Sequence, residues 1–381
     1  MKKFEINTTI YFGEDSLERL KEIPYQKVMI VTDAFVASGS MIDMVTTPLK
    51  EAGIEYTIFA DVVPDPPIDK ISNGVKEMLE YLPEAIITIG GGSAIDSAKA
   101  IKEFALKINR YAEVALIAIP TTSGTGSEVT SFAVISDSAK NRKYPLVSEE
   151  MTPNEAILDA RLVKSVPATI TADTGMDVLT HAIESCVSIQ RNEFATALAE
   201  KAIEICGMFL LRAYLDGNDM HARQKMHVAS CLAGLAFNST SLGLNHGMAH
   251  QLGAVFHISH GRANAMLLPH IIEYNSDIDK NSKSQKEYRP EVKRYETISR
   301  ILGLNSYNKI MSVRSLTNWI QFMMKEMDMP LSISQLGTIA HDEYFAQIGK
   351  MADAALQDAC TETNPRKAVR EDVIAIYEKL W

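Results

Sequence analysis

The chain has 381 residues, 46% of them hydrophobic and 23% charged, which is long enough for two domains and is the balance of an ordinary globular protein. A formal net charge of −10 argues against nucleic acid or an anionic membrane surface as a partner. No apolar run approaches the ~18 residues of a membrane span, and Cys186, Cys206, Cys231 and Cys360 form no CxxC pair, as expected for reduced thiols of a cytoplasmic chain.

The opening segment, MKKFEINTTIYFG, alternates apolar and polar residues and lacks a signal-peptide core. It predicts an edge-like strand over Phe4–Phe12 that suits pairing with a second copy. Lys27–Asp33 (KVMIVTD) is a short apolar run and predicts a buried strand. A helical pattern over Met41–Ala52 follows, then a strand over Glu55–Phe59, a Pro-rich turn over Val63–Ile68 and a helix over Asp69–Leu82. Ala85–Ile89, Ala94–Ala105 and Val114–Ile119 continue as strand, helix and strand. This βαβα order predicts an α/β N-terminal domain over residues 1–166, a parallel Rossmann-like sheet with helices on both faces. Ligands bind such sheets at the carboxyl ends of the strands.

Three of those strand ends carry chemistry. Ala85–Ile89 runs into Gly90-Gly91-Gly92-Ser93 and then directly into a helix. Glycines let the backbone approach a ligand, and a helix N-terminus offers free N–H groups to a phosphate. The alternative is a glycine-rich connector with no ligand. Val114–Ile119 runs into PTTSGTGSE (Pro120–Glu128), small and rich in hydroxyls, fitted to a diphosphate or ribose or else an ordinary polar loop. Lys27–Asp33 ends in Asp33, whose carboxylate would accept from a ribose 2′-OH and repel a 2′-phosphate, favouring NAD. The alternatives for Asp33 are a helix N-cap or a solvated loop acid.

From about Pro167 the character changes to long helical patterns, including Asp177–Val187, Glu193–Tyr214 and Ala222–Asn238, so residues 167–381 read as an all-α domain. The window HGMAHQLGAVFHISH holds four of the nine histidines: His246, His250, His257 and His260. His246 and His250 are spaced i, i+4, as are Asp177 and His181 in the apolar run TGMDVLTHAIES. A buried carboxylate and imidazole need partners. One metal held by Asp177, His181 and two of the later histidines accounts for both stretches, and a carboxylate with imidazoles and no thiolate suits Fe(II), Zn(II) or a similar ion. The bland reading is a set of core or capping histidines beside a structural Asp–His pair. A cleft between the two domains would bring nucleotide and metal together.

GGGSAIDSAK (Gly90–Lys99), PTTSGTGSEVT (Pro120–Thr130), TGMDVLTHAIE (Thr174–Glu184) and HGMAHQLGAVFHISHGRANAMLLPH (His246–His270), in this order and spacing, resemble the iron-dependent, or group III, alcohol dehydrogenases. SVPATITADTGMDVLTHAIE and LGLNHGMAHQLG are most similar to the propanol dehydrogenase branch found in propanediol-utilising bacterial microcompartments. Ethanol, lactaldehyde and 1,3-propanediol enzymes of the family are close in sequence. The resemblance implies the dehydroquinate synthase-like two-domain fold and an NAD(H)-dependent exchange of a small aldehyde and its primary alcohol at Fe2+, with Zn2+ as the other candidate. It implies Asp177, His181, His246 and His260 as metal ligands and His250 as a residue near the substrate that exchanges protons. It leaves His257 with a structural role. By the same resemblance Asp33, Gly91, Gly92, Ser93, Asp96, Thr121, Thr122, Thr125 and Lys143 contact the nucleotide, while Asp65 departs from an asparagine seen in some members. A homodimer or higher homo-oligomer, and a microcompartment shell or its enzymes as partners, belong to the same expectation. The different-class alternatives are a metal-dependent lyase on this fold, against which the set of Asp177 and three histidines speaks, and a metal-dependent hydrolase, which would leave the two phosphate-type loops and Asp33 without a purpose.

Overall fold

The apolar runs at residues 27–33, 85–90 and 115–120 form the middle of a six-stranded sheet in a computed structural model of the chain. The structure describes residues 3–108, 113–137, 142–279, 281–282, 287–304 and 307–381, without the side chains at 137, 142 and 143. Two compact units divide it, Met1–Val166 and Pro167–Trp381.

The first unit runs β1 (Thr9–Phe12), β2 (Lys27–Asp33), α1 (Ala34–Ser38), α2 (Asp43–Glu51), β3 (Glu55–Val62), α3 (Ile68–Tyr81), β4 (Ala85–Gly90), α4 (Gly92–Ile108), β5 (Ala115–Pro120), β6 (Phe132–Asp137), β7 (Arg142–Val147) and β8 (Glu155–Leu158). The sheet order is β1-β8-β5-β4-β2-β3, and every pairing in it is parallel. Alternation along β2 explains the two-sided core. Val28 and Ile30 pack with Leu20, Val45 and Leu49 on one face, whereas Met29 and Val31 pack with Ile71, Met78 and Ile101 of α3 and α4 on the other. The parallel sheet clad on both faces is the architecture expected from the sequence.

Two features lie outside that expectation. β8 is only four residues long, yet it joins β1 to β5 and so completes the sheet. β6 and β7 form a separate antiparallel pair. β1 lies at a sheet edge, as its alternating pattern predicts, but spans only the second half of the expected strand.

The second unit runs α5 (Ala168–Val187), α6 (Glu193–Leu215), α7 (Met220–Thr240), α8 (Leu244–Phe256), α9 (His260–Ser276), α10 (Glu291–Ile301), α11 (Lys309–Glu326), α12 (His341–Gln357) and α13 (Arg370–Lys379). Among the described residues it contains no strand. Pro167 stands at the cap of α5, where a missing N–H costs nothing, and α5 is buried over most of its length. It packs against α6, α7 and α9, so its polar side chains from Asp177 to Ser185 face protein and not water.

Candidate metal and cofactor sites

Asp177 and His181 lie one turn apart on α5, both about 95% buried. His246 comes from the first turn of α8 and is fully enclosed, while His260 opens α9 and is half-exposed. One ligand-type atom from each of the four residues lies within 4.8 Å of all the others. Asp177 Oδ1 is 3.7 Å from His246 Nε2 and 3.5 Å from His260 Nε2, and Asp177 Oδ2 is 3.9 Å from His181 Nδ1. The ring of His181 stacks between Phe237 and His246, 4.6 Å from each centroid. Gly261 lets α9 begin here, because a Cβ at that position would lie 2.0 Å from the backbone oxygen of Asp173 on α5.

The environment prepares these donors. Glu184 Oε2 lies 2.5 Å from His246 Nδ1 and accepts its proton-bearing side, which leaves Nε2 aimed at the cluster. Burial acts to lower the His246 pKa, but the nearby carboxylates of Glu184 and Asp177 outweigh it and lift it to about 9, so in the metal-free protein this Nε2 carries a proton that an incoming ion would displace. Burial would raise the Asp177 pKa, yet His181, His260 and His246 together hold that carboxylate well below its usual range. An anionic oxygen and three convergent imidazoles, with a second carboxylate fixing one tautomer, is a donor set that a first-row divalent ion fits.

His250 lies on α8 one turn beyond His246, with its ring stacked on His260 at 5.4 Å. Its Nδ1 is 2.8 Å from Asp358 Oδ2, and Asp358 Oδ1 accepts from the Cys360 N–H at 2.9 Å. His257 ends α8 in the left-handed conformation, φ 54°, and its N–H donates to Gly253. That is a helix-terminating role, in keeping with the structural part expected of it.

In the first unit the two small-residue loops lie together. The Thr121 N–H donates to Gly90 O at 2.9 Å. A Cβ on Gly92 would come within 2.7 Å of Thr125 Cγ2, so only glycine permits this approach. Gly91 faces Thr122, and the N-terminus of α4 opens beside both loops. Asp33 Oδ1 caps α1 by accepting from the Val36 N–H at 2.9 Å, and Oδ2 lies on the Gly90 side. The helix-cap alternative therefore holds for one oxygen and leaves the other available. Asp96 is already engaged. Its oxygens accept from Ser127 Oγ at 2.6 Å and the Val134 N–H at 2.9 Å, and burial raises its pKa. Thr125 Oγ1 likewise accepts from the Ser127 N–H. Both residues are thereby tied to Ser127. Lys143 lies on β7 with its side chain outside the described residues. Asp65 sits at φ 51° in the turn before α3.

Residues 7–160 match the family described as iron-containing alcohol dehydrogenase, and residues 171–381 match the C-terminal part of the Fe-containing alcohol dehydrogenase family. The chain belongs to the iron-containing alcohol dehydrogenase family. It is 40% identical over 380 residues to a 1-propanol dehydrogenase of Citrobacter freundii, with all of both chains covered. It is 37% identical over 400 residues to an NADPH-dependent butanol dehydrogenase of Clostridium saccharobutylicum, covering 100% of this chain and 98% of that one. The solved alcohol dehydrogenase from Oenococcus oeni superposes with a TM-score of 0.90 at 30% identity, with 100% of both chains covered. The activity of this family is alcohol dehydrogenation, a metal-dependent oxidoreductase reaction.

Four further residues touch this family site. Glu184, Asn245, Asn264 and Asp358 contact the metal-ligand candidates or His250 directly or through one another. Glu184 and Asn264 each carried a signal, lying three residues after His181 and four after His260 on the same helices. Asn245 adjoins His246. Asp358 is 108 residues from His250 and carried none.

Proposed function

We propose that the protein interconverts a short-chain aldehyde, propanal first among candidates, and its primary alcohol by hydride transfer with NAD(H). The observation that carries this reading is the convergence of Asp177, His181, His246 and His260 donor atoms within 4.8 Å. In this proposal residues 1–166 bind the dinucleotide, residues 167–381 hold the metal, and those four side chains are its ligands. The bound divalent ion supplies Lewis-acid polarisation of a carbonyl, and the nicotinamide supplies the hydride. The chain's own residues do the rest. Gly91, Gly92 and Ser93 bring free N–H groups of α4 to the diphosphate, with Thr121 and Thr122 beside them. The free Asp33 oxygen accepts from the adenosine ribose and opposes a 2′-phosphate. Asp358 holds His250 Nδ1, so His250 Nε2 is the atom that hands a proton to the alcohol oxygen and takes it back in the reverse direction. Glu184 keeps His246 in the tautomer that presents Nε2.

Similarity to the 1-propanol dehydrogenase supports propanal over larger aldehydes, while 1,3-propanediol, lactaldehyde and ethanol are the runner-up substrates. Fe2+ is the proposed ion and Zn2+ the substitute. A cytoplasmic homodimer, resident in a microcompartment, completes the proposal. The resemblance of SVPATITADTGMDVLTHAIE and LGLNHGMAHQLG supports the microcompartment and edge strand β1 supports the dimer.

The test is NADH oxidation with propanal on anaerobically purified protein, stripped of metal and reloaded with Fe(II) or Zn(II). Activity that appears with Fe(II), vanishes on chelation and exceeds that with acetaldehyde, lactaldehyde and 3-hydroxypropanal is the expected result. Bound NADH without turnover of any aldehyde under any metal would remove the reading.

A further inference from the structure

In a chain of net charge −10, one cavity of about 460 Å³ in the second unit is lined by five cations and no acid. Arg191, Arg289, Lys293, Arg294 and Lys309 surround it, with Tyr288 among them. The lining comes from the N-terminal parts of two helices, α10 and α11, from the residues just before α10, and from the segment that precedes α6. Little of this charge is neutralised locally. Arg289 donates its Nε–H to Asn275 O at 3.0 Å and lies 3.4 Å from Glu291 Oε2. Arg191 donates to Ser188 O at 3.1 Å, a neutral carbonyl. The Lys309 ammonium sits 4.9 Å from the Tyr288 ring centroid, a contact that orients a cation without cancelling it. Among the described residues Lys293 and Arg294 form no ion pair.

Like charges gathered in one concavity repel, and the cheapest relief is an anion held between them. Three guanidinium forks match phosphoryl or carboxylate oxygens in pairs, while the two ammonium groups act as point charges. The volume falls in the range of sites for small organic ligands and exceeds the need of a single ion. We propose that this cavity is a second binding site, separate from the dinucleotide loops of the first unit, for a small anion with two or more phosphoryl groups. The helix N-termini of α10 and α11 add to the same field. Nothing in the alcohol dehydrogenase reaction uses these residues, so the site stands or falls independently of the proposed substrate.

Inorganic tripolyphosphate is the probe. It is titrated by calorimetry into the full-length, metal-loaded protein saturated with NADH, which keeps the first unit's loops occupied. One saturable site is expected, with affinity that falls as salt is raised. The double variant Lys293→Glu/Arg294→Glu should weaken binding at least tenfold, and Lys309→Gln several-fold, with both proteins reducing propanal as the parent does. Melting temperature checks that each is folded. If the double variant does not fold, Lys309→Gln and Arg191→Gln carry the comparison. Absence of saturable binding in the parent protein, or equal affinity in the folded variants, would overturn the site. Citrate binding more tightly than tripolyphosphate would overturn its phosphoryl character.

Discussion

The carboxamide nitrogen of Asn264 lies 2.8 Å from Asp177 Oδ1, and the same nitrogen is 3.0 Å from His246 Nε2 and 3.1 Å from His260 Nε2. Asn245 Nδ2 donates to Asn264 Oδ1 at 2.9 Å, which turns the amide N–H groups toward the three donor atoms. Asn264 thus braces α5, α8 and α9 at the point where the proposed metal ligands meet. Asn264→Ala should weaken metal binding about 10- to 100-fold. It should also lower the stability of the metal-free protein by about 1–3 kcal/mol, because the buried Asp177 carboxylate loses a donor. Competition against a chelator of known affinity reads the first effect and thermal unfolding of the stripped protein the second. Unchanged metal affinity would reduce Asn264 to an ordinary core amide.

The sequence carries this site unevenly. Asp177 and His181 declare themselves through i, i+4 spacing in an apolar run, since few other arrangements justify two buried polar groups on one helix. His246 and His260 begin two different helices, and no periodicity says that those helices meet. His250 shares a face with His246, so spacing alone offers it as a ligand. In the folded chain its Nδ1 turns to Asp358 instead. The central strands were legible because they are buried on both faces and unbroken by polar residues. β8 was not, because EAIL is too short to show a period. The β6–β7 pair was hidden by Pro145, which reads as a break but is tolerated in a two-stranded ribbon. The start of α5 carries no helical signal, because TITADTG is rich in β-branched residues and contains glycine, so tertiary burial and not propensity makes it helical.

A buried charge cluster in the first unit gives a pH signature. Lys99 is fully buried and donates to Ser127 Oγ, Thr130 Oγ1 and Phe132 O. Glu128, 2% exposed, has its carboxyl pushed up to about 7 by burial, against the opposing pull of its own backbone N–H and of Lys99. A carboxyl with a raised pKa favours the folded state in its protonated form. Its contribution is therefore fully present below the ordinary value of 4.5 and is lost as pH rises to 7. Glu128→Gln should abolish that loss. It should leave stability near pH 4.5 unchanged and raise it at pH 8 by up to about 3 kcal/mol, since each tenfold change in proton affinity between the folded and unfolded chain is worth ~1.4 kcal/mol. Denaturant unfolding at both pH values decides the matter. A variant less stable at pH 8 than the parent would mean that the Glu128–Lys99 attraction outweighs the burial cost.

Asp33 is a helix cap and also the proposed nucleotide discriminator, and two substitutions separate these roles. Its Oδ1 caps α1 and its charge is assigned to nucleotide selection. Asp33→Asn keeps an acceptor at the cap and removes the charge. It should admit NADPH with little change in melting temperature. Asp33→Ala removes both and should in addition cost about 1 kcal/mol of stability. Steady-state rates with NADH and NADPH, beside melting curves, read the two effects. Continued refusal of NADPH by both variants would place discrimination elsewhere in the first unit.

In the proposed mechanism the His250–Asp358 pair handles the proton and not the metal. His250 Nδ1 is held at 2.8 Å by Asp358 Oδ2, and that hydrogen bond with the His250 charge keeps the Asp358 carboxyl below its usual range against the opposing effect of burial. His246 is instead engaged by Glu184 and faces the donor cluster. His246→Ala should lose metal and nearly all activity together. His250→Ala should retain a full complement of metal and turn over about 10²–10⁴ times more slowly, the usual cost of removing a positioned acid or base. Asp358→Asn should fall between parent and His250→Ala in kcat, because it leaves the imidazole in place but unsettles its tautomer. Its metal content should match the parent, and its KM for aldehyde should move less than kcat. Metal analysis of the three purified variants, followed by anaerobic kinetics across pH, distinguishes the roles. A metal-free His250→Ala protein would make His250 a ligand and not a proton carrier, and Asp358 would then be the outer carboxylate of that ligand.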